Sequence, residues 1–368
     1  MVRHTIVRHT IVRRACSRHS TAFPIVLVML TLGSAMLTFP ARVRADQDAE
    51  PTSLPSFEFH SGFWINLHHF LYLQGRIRNN PADQAKKSYS TSGGAGPAMT
   101  PAEQKNWNAA LAVYAGDWSS RDLVHNGIMG LINNRLAELE NCPEITGKSA
   151  SECTSGLQPE LETALDEAAP IYRARWWQEQ DRENRAWIDA VAPLLRRMGA
   201  NVGGQLAGVY QRQWPAGDYR VDVTWYAGPE GAHTSLEPVH VTIASHDPRN
   251  QGLAAFEMLF QQASYAVAEG VSQTIARDCR QLGKPIPRNL WPALLFYSTG
   301  ELIRRTLGTA PESAGLATIA GYSPYGYRNA LHDHGWGDYE RVLERYWQAY
   351  LDDQITFETA ISRIVAVQ

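Results

Sequence analysis

Residues Val239 to Tyr265 read VHVTIASHDPRNQGLAAFEMLFQQASY, and the period of the apolar positions changes inside that one stretch. Val239, Val241 and Ile243 alternate with His240 and Thr242, the two-residue period of a strand with unlike faces. Ser245-His246-Asp247-Pro248 interrupts the run, and Asp247 stands where a side chain caps the helix that follows. From Leu253 onward, Phe256, Leu259, Phe260, Ala263 and Val267 recur three and four residues apart, which is one stripe of an amphipathic helix. The stretch is therefore a strand, a turn and a helix.

Upstream, Tyr219 to Tyr226 alternates in the same way and is separated from Val239 to Ala244 by a turn containing Gly and Pro, so two strands are expected. The other long segments carry helical spacing: Phe57 to Arg76, Pro101 to Tyr114, Arg121 to Glu140, Leu157 to Ala168 and Ile171 to Met198 before the strands. After them come Gly252 to Gln281, Leu290 to Leu307, Asp338 to Leu351 and Phe357 to Val365. Lys86 to Thr100, with Gly93-Gly94-Ala95-Gly96-Pro97, is a loop. The expected fold class is mainly α with a small antiparallel β element. Four regions are expected: a signal peptide over 1–45, a linker over 46–56, an N-terminal helical region over 57–215, and a small sheet with further helices over 216–368. No repeat of solenoid length recurs.

The strand, the helix through Phe256-Glu257-Met258-Leu259-Phe260-Gln261-Gln262-Ala263-Ser264-Tyr265, and a later helix with Leu294-Leu295-Phe296-Tyr297-Ser298-Thr299-Gly300-Glu301 together resemble the core of the gluzincin-type zinc metallopeptidases. That resemblance implies an edge strand beside a cleft, a His-Glu-x-x-His helix and a glutamate ligand from a second helix. Two histidines at i and i+4 share a helix face and reach one metal, and the Glu between them polarises the metal-bound water. Here those positions hold Gln261, Gln262 and Tyr265. Glutamine is a neutral amide that cannot act as the general base, and neither Gln261 nor Tyr265 is a usual zinc ligand, so only Glu301 remains of the set. Phe59-His60-Ser61-Gly62-Phe63-Trp64-Ile65-Asn66-Leu67-His68-His69-Phe70 also resembles the mature start of uncharacterised exported bacterial proteins. That likeness names no activity. Together the two resemblances imply a zincin-like helical core with a degenerate metal site, no cofactor beyond a residual affinity for zinc, and a small-molecule or peptide ligand.

The charge is unevenly placed. Lys and Arg number 34 against 37 Asp and Glu, yet the seven basic residues of the first 45 are all arginines and no acid precedes Asp46. Without that leader 27 basic residues face 37 acidic ones, a formal charge of −10. An acidic body disfavours nucleic acid, whose binding rests on Lys and Arg. The leader has a basic start, an apolar run from Ile25 to Met36 and the small-residue end Val43-Arg44-Ala45, the order of a secretory signal cut after Ala45. An uncleaved anchor is the alternative, since the uncharged run from Ser20 to Ala41 is long enough to span a bilayer. No later apolar run reaches that length, so no membrane span is expected once a signal is removed. Export to the periplasm or beyond agrees with Cys142 and Cys153, which flank a polar loop and are placed to pair in an oxidising compartment. Cys279 is left as a small helical residue.

Histidines supply the remaining candidates. His240 and His246 stand closest in chain order to the resembled cleft, with Tyr297 on the later helix. His332-Asp333-His334 puts two rings on one side if extended, and His68-His69, with His60 and Trp64, are placed to line a pocket. Glu301, three residues before Arg304 and four before Arg305, is either a cleft carboxylate or a helix-face ion pair. Trp176 and Trp187 are spaced for packing between helices, with sugar stacking as the alternative. Three functions are thus in view: a non-catalytic binding protein, a metal-dependent or acid/base hydrolase rebuilt from His240, His246, His332, His334 and Glu301, and an envelope interaction protein.

Overall fold

The structure is a computed structural model that describes residues 54–80, 98–123, 126–145, 153–236, 238–309, 322, 324 and 335–368. The expected leader and most of the linker lie outside the described residues, as do His332 and His334. The molecule is mainly helical with one small sheet. Strand β1, Ser56–His60, leads into helix α1, Phe63–Asn79. Helix α2, Pro101–Val113, opens on a capping box in which the Thr100 hydroxyl accepts from the Glu103 backbone and the Glu103 carboxylate accepts from the Thr100 backbone. Helix α3, Gly127–Glu138, is capped by the Asn126 side chain.

Helices α4 (Pro159–Tyr172), α5 (Gln178–Leu194) and α6 (Ala200–Tyr210) follow one another without leaving helical dihedrals, joined by π turns at Arg173–Trp177 and Leu195–Gly199. Each wide turn begins just after an interior proline, Pro170 or Pro193. A proline lacks the N–H of the ladder and crowds the carbonyl four residues back, which loosens the helix locally without ending it. Gln211, at φ 54, ends the run in the left-handed conformation.

Strands β2 (Asp218–Thr224), β3 (Ala232–Leu236) and β4 (Val239–Ala244) complete a sheet of order β1-β2-β4-β3. β1 and β4 both run parallel to β2, and only β3 and β4 are antiparallel. The sheet is thus mixed, where an antiparallel element was expected. The reason is the connection from β2 to β4, which passes through β3 instead of a tight hairpin, so β3 takes the antiparallel place at the edge. Ser56–His60 is a strand where the sequence predicts the end of a linker and the start of a helix; its partner β2 stands some 160 residues away, and no local period announces such a pairing. Gly231, at φ 77, turns the chain into β3, and a Cβ there would lie 2.6 Å from Asp247 Oδ2.

Helix α7, Leu253–Ala263, breaks at a 3-10 turn over Ser264–Ala266 before helix α8, Glu269–Leu282. Helix α9, Leu290–Thr309, crosses α7 closely enough that a Cβ on Gly300 would meet Glu257 Oε1 at 2.7 Å. The chain closes with α10 (Gly337–Val342), α11 (Gln348–Leu351) and α12 (Phe357–Val367). Residues from Glu50 to Gln368 belong to one unit, with β1 and β2 bringing its early and middle parts into one sheet.

The sheet register separates two unlike faces. Phe57, Phe59, Val221, Val223, Val241 and Ile243 point to one side, where Ala255, Met258 and Leu259 of α7 and Trp187 of α5 cover them. His60, Arg220, Asp222, Thr224, His233, Ser235, His240 and Thr242 share the other side. Alternation of this kind ordinarily marks a strand with one wet face. Here the polar face is covered as well, by α1 and α3, and Asp222, Thr224, His233, His240 and Thr242 are all buried.

Candidate functional site

Burying a polar face requires partners for every group on it, because an unpaired buried donor or acceptor costs about 1–3 kcal/mol. Helices α1 and α3 supply them. Asn66 of α1 accepts from the Trp225 backbone and donates to the Val223 carbonyl. Asn134 of α3 accepts from Ser235 Oγ and faces His240 Nδ1 at 2.8 Å. On its other side His240 Nε2 lies 2.6 Å from Asp222 Oδ2, so both ring nitrogens of His240 face oxygen. Asp222 also receives Arg220 at 2.7 Å, and Arg220 reaches Glu140, which in turn holds His60. Burial alone would raise the Asp222 pKa, but hydrogen bonds from His240 and Arg220 outweigh it and hold the carboxyl below its usual value.

A second chain of contacts runs along α1. His68 and His69 are both fully buried, with their rings 5.6 Å apart. His69 Nε2 donates to Asn133 Oδ1, and Asn133 Nδ2 donates to His233 Nε2, both at 3.1 Å. His233 must then carry its proton on Nδ1, which faces the Ala227 carbonyl at 3.4 Å. The rings of His69 and His233 stack at 5.7 Å. His68 Nδ1 meets the Tyr114 hydroxyl at 2.7 Å, and its Nε2 has no hydrogen-bond partner among the described residues. Desolvation lowers His68 to about 3 and His233 to about 4, and it lowers His69 well below its ordinary value, with the neighbouring histidines adding to the shift in each case. These three rings are neutral at pH 7.

The histidine seam ends at a cavity. A space of about 210 Å³ is lined by Tyr72 and Arg76 of α1, by Ser120 to Leu123, and by Ala227 to Glu230 in the turn before β3. Its floor is buried (Tyr72, Leu123, Ala227, Gly228) and its mouth is exposed (Ser120, Asp122, Pro229, Glu230). The Tyr72 hydroxyl accepts from Arg76 Nη1 at 3.1 Å and donates to the Arg121 carbonyl at 2.8 Å, tying two walls together. A second space of about 320 Å³, lined by Trp118, Ile128, Leu131, Ile132 and Leu157 with Arg135, is more apolar.

Gln261, Gln262, Tyr265 and Glu301, the positions expected from the resemblance, are elsewhere, Gln262 on the side of the sheet that carries Thr234. Gln261 and Gln262 are buried; Gln262 Nε2 donates to Gln261 Oε1 at 2.8 Å, and the Thr234 hydroxyl donates to Gln262 Oε1, also at 2.8 Å. Tyr265 lies against Trp291, its pKa raised by burial, with Gln261 beside it pulling the other way. Glu301 is buried, with both oxygens accepting from Arg304 and one also from Arg305. Burial pushes its carboxyl up, and the two arginines more than reverse that. No hydrogen bond or ion pair among the described residues joins Glu301 to Gln261 or Tyr265. This donor set does not fit zinc: two amides bonded to each other, a phenol and a carboxylate occupied by arginines. Among the described residues no group of three or more His, Cys, Asp or Glu has the arrangement of a metal site.

No family model, curated protein or solved structure matches this chain.

The other sequence candidates fall in distinct places. Tyr297 is buried and donates to Gln348. His246 is half-buried, its ring stacked on Trp225 at 4.4 Å and its Nδ1 2.9 Å from Glu183 Oε2. Asp247 caps the short turn Pro248–Asn250 and pairs with Arg249. Trp176 packs on Trp107 and Phe70, and Trp187 is buried against Phe59. Cys142 and Cys153 are at bonding distance, and Cys279 is buried. Sequence reasoning gave no role to His233, Asn133, Asp222 or Glu257. Glu257, within the apolar run Phe256 to Phe260, is buried and accepts from Tyr322. A carboxylate inside such a run was the available signal. The cavity has none, because its three segments are remote in sequence.

Proposed function

We propose that this chain is an exported binding protein for a small-molecule or peptide ligand, on a metallopeptidase-like arrangement that has lost its metal site. The observation that carries the reading is the fate of the four inherited positions. Gln261 and Gln262 bond to each other, Gln262 also holds Thr234, and Glu301 is neutralised by Arg304 and Arg305. A zinc hydrolase needs three donors on one ion and a carboxylate to activate water, and neither is present there. A polar cavity stands open between α1 and the turn before β3. The Cys142–Cys153 pair suits an oxidising compartment, and no described helix is long and apolar enough to cross a membrane.

Metal analysis of the purified chain tests the loss of the site: less than stoichiometric zinc is expected, and a stoichiometric zinc that disappears in Glu301→Ala would overturn the reading. The triple change Gln261→His, Gln262→Glu, Tyr265→His tests the resemblance itself. Tight zinc uptake is expected if the helices keep the inherited geometry, and a folded variant without uptake counts against it.

One observation favours a hydrolytic reading at a different place. His246 is oriented by Glu183 and stacked on Trp225 while remaining partly exposed, which is how an imidazole is held for general-base work. That reading requires hydrolysis of an ester or peptide panel that His246→Gln abolishes.

A further inference from the structure

Hydrogen bonds and ion pairs join α1 and α3 to the polar face of the sheet: Asn66 to the Val223 carbonyl, Asn133 to His233, Asn134 to Ser235 and His240, and Glu140 to Arg220. The apolar residues of the two helices, among them Leu67, Leu71, Met129 and Ile132, pack with α2 and α4 instead. Those of the sheet pack with α5 and α7. The chain passes between these cores at Ser61-Gly62, at the π turn Arg173–Trp177 and at Trp225-Tyr226, and the passages gather on one side. There Asn184 of α5 donates to Ser61 and Asn66, Trp225 donates to Glu183, and Trp177 packs on Phe63. Strand β3 is at the opposite edge of the sheet from β1. An apolar interface resists separation at any pH, whereas a polar one exchanges its bonds for water at a net cost of about 0.5–1.5 kcal/mol each. A section through a polar interface is where a protein opens short of global unfolding. We propose that α1 and α3 part from β3 on acidification, hinged on the side where the passages gather, and that this widens the cavity between α1 and the turn into β3. The opening does not depend on what the cavity binds.

The bond that closes the far side is the Asn133 amide. It accepts from His69 Nε2 and donates to His233 Nε2, both at 3.1 Å, so one side chain ties α1 and α3 to β3. A proton on His233 Nε2 sets two donors face to face, and turning the amide over moves the same conflict to His69. The bridge therefore holds while His233 is neutral. Among the charged and titratable groups nearby, His68 on α1 opposes a charge on His69, and His240 on β4 opposes one on His233. Asp122, after α2, favours one on His233. Tyr114 meets His68, and Asp222 on β2 is paired with His240 and Arg220. Burial lowers His233 to about 4, whereas in water it titrates near 6.5. The open form thus holds the proton more tightly and gains on the closed form as pH falls from 6.5 toward 4. Between pH 7.5 and 5.5 His233 alone favours opening about tenfold, and His69 acts in the same direction.

The test places a thiol in the plane by Thr242→Cys, since Thr242 is buried opposite His233 on the polar face. The full chain is treated with dithiodipyridine at pH 7.5 and 5.5, each rate is divided by that of free cysteine at the same pH, and the labelled sites are assigned by peptide mass. Cys279, buried in the core that α8 shares with α12, reports global unfolding in the same sample. The introduced thiol is expected to react at least tenfold faster than Cys279 at pH 5.5 and to lose at least tenfold of its protection between the two pH values. Adding His233→Gln, which keeps a polar side chain but does not titrate, is expected to cut that pH response about tenfold. Equal rates at the two thiols overturn the proposal, because the layers then part only when the whole protein unfolds. Protection that does not change with pH overturns it as well, and so does an unchanged pH response in a folded double variant. If the double variant fails to fold by circular dichroism, the two readouts of the single variant decide. If Thr242→Cys itself fails to fold, carbethoxylation of His233 on the unaltered chain, divided by that of N-acetylhistidine, takes its place. A tenfold rise toward pH 5.5, ahead of any reaction at Cys279, is then expected, and no rise overturns the proposal.

Discussion

Asp222 is the residue on which the buried polar face turns. It is fully buried and lies 2.6 Å from His240 Nε2 and 2.7 Å from Arg220 Nε. Removing one member of a buried ionic group leaves the others charged in a poor solvent, which typically costs about 3–5 kcal/mol. Asp222→Ala is therefore expected to lower the unfolding free energy read from urea titration by an amount in that range. Arg182→Gln, which breaks an exposed pair with Glu179 at 3.4 Å, is expected to change stability by less than about 0.5 kcal/mol. Equal effects from the two changes would show that the face is not sealed. The contrast was invisible in the sequence: Arg220 and Asp222 alternate with Val221 and Val223 just as the solvent-facing residues of an ordinary half-exposed strand would. Glu301 shows the same limit. Its spacing from Arg304 and Arg305 left an ion pair as one of two readings, and only packing made that pair a buried one.

The docking of α1 onto the sheet sets the acid response of the protein. His68, His69 and His233 are neutral in the fold and lie against Tyr114, Asn133, Asp122 and His240, whereas in an unfolded chain each titrates near 6.5. A histidine whose folded pKa is depressed contributes stability that is complete above its unfolded value and is lost as pH falls, down to the folded value. The window thus runs from 6.5 to about 4 for His233 and to about 3 for His68. At pH 5.5 His68 and His233 each remove about 1 kcal/mol of an expected total of about 5–15, and His69, whose pKa is lowered as well, acts in the same direction. Asp222 and Glu301, whose pKa values are lowered, lose their contribution only as pH falls below the ordinary carboxylate range, which separates the two effects. Urea unfolding at pH 7.5 and 5.5 checks this, and His68→Gln is expected to make the decline shallower by about one proton. A flat profile between those pH values would mean the seam opens to water. At this scale the helices and the two alternating strands were legible, since their periods are local. β1 and β3 were not: β1 depends on a distant partner, and Ala232-His233-Thr234-Ser235-Leu236 has too few apolar residues to announce a strand.

Across the whole molecule, the disulfide closes the loop between α3 and α4 beside the Trp64 indole, which donates to the Cys142 carbonyl at 2.7 Å. A cross-link spanning 11 positions restricts the unfolded chain by about 2–3 kcal/mol. Reduction is expected to lower the unfolding free energy read from urea titration by that amount without unfolding the protein at neutral pH, and an unchanged value would mean that the cross-link does not restrict the unfolded chain. Sequence by itself determined what depends on neighbours along the chain: the helical periods, the alternating strands, and the arginine-only basic charge of the first 45 residues ahead of an acidic body. Tertiary structure alone decided which polar residues are buried, that His68, His69 and His233 meet, and that Arg76, Arg121, Asp122 and Glu230 share one cavity. The physical reason is that a one-dimensional pattern records the face a residue points to, while burial and charge pairing depend on what another part of the chain brings to that face.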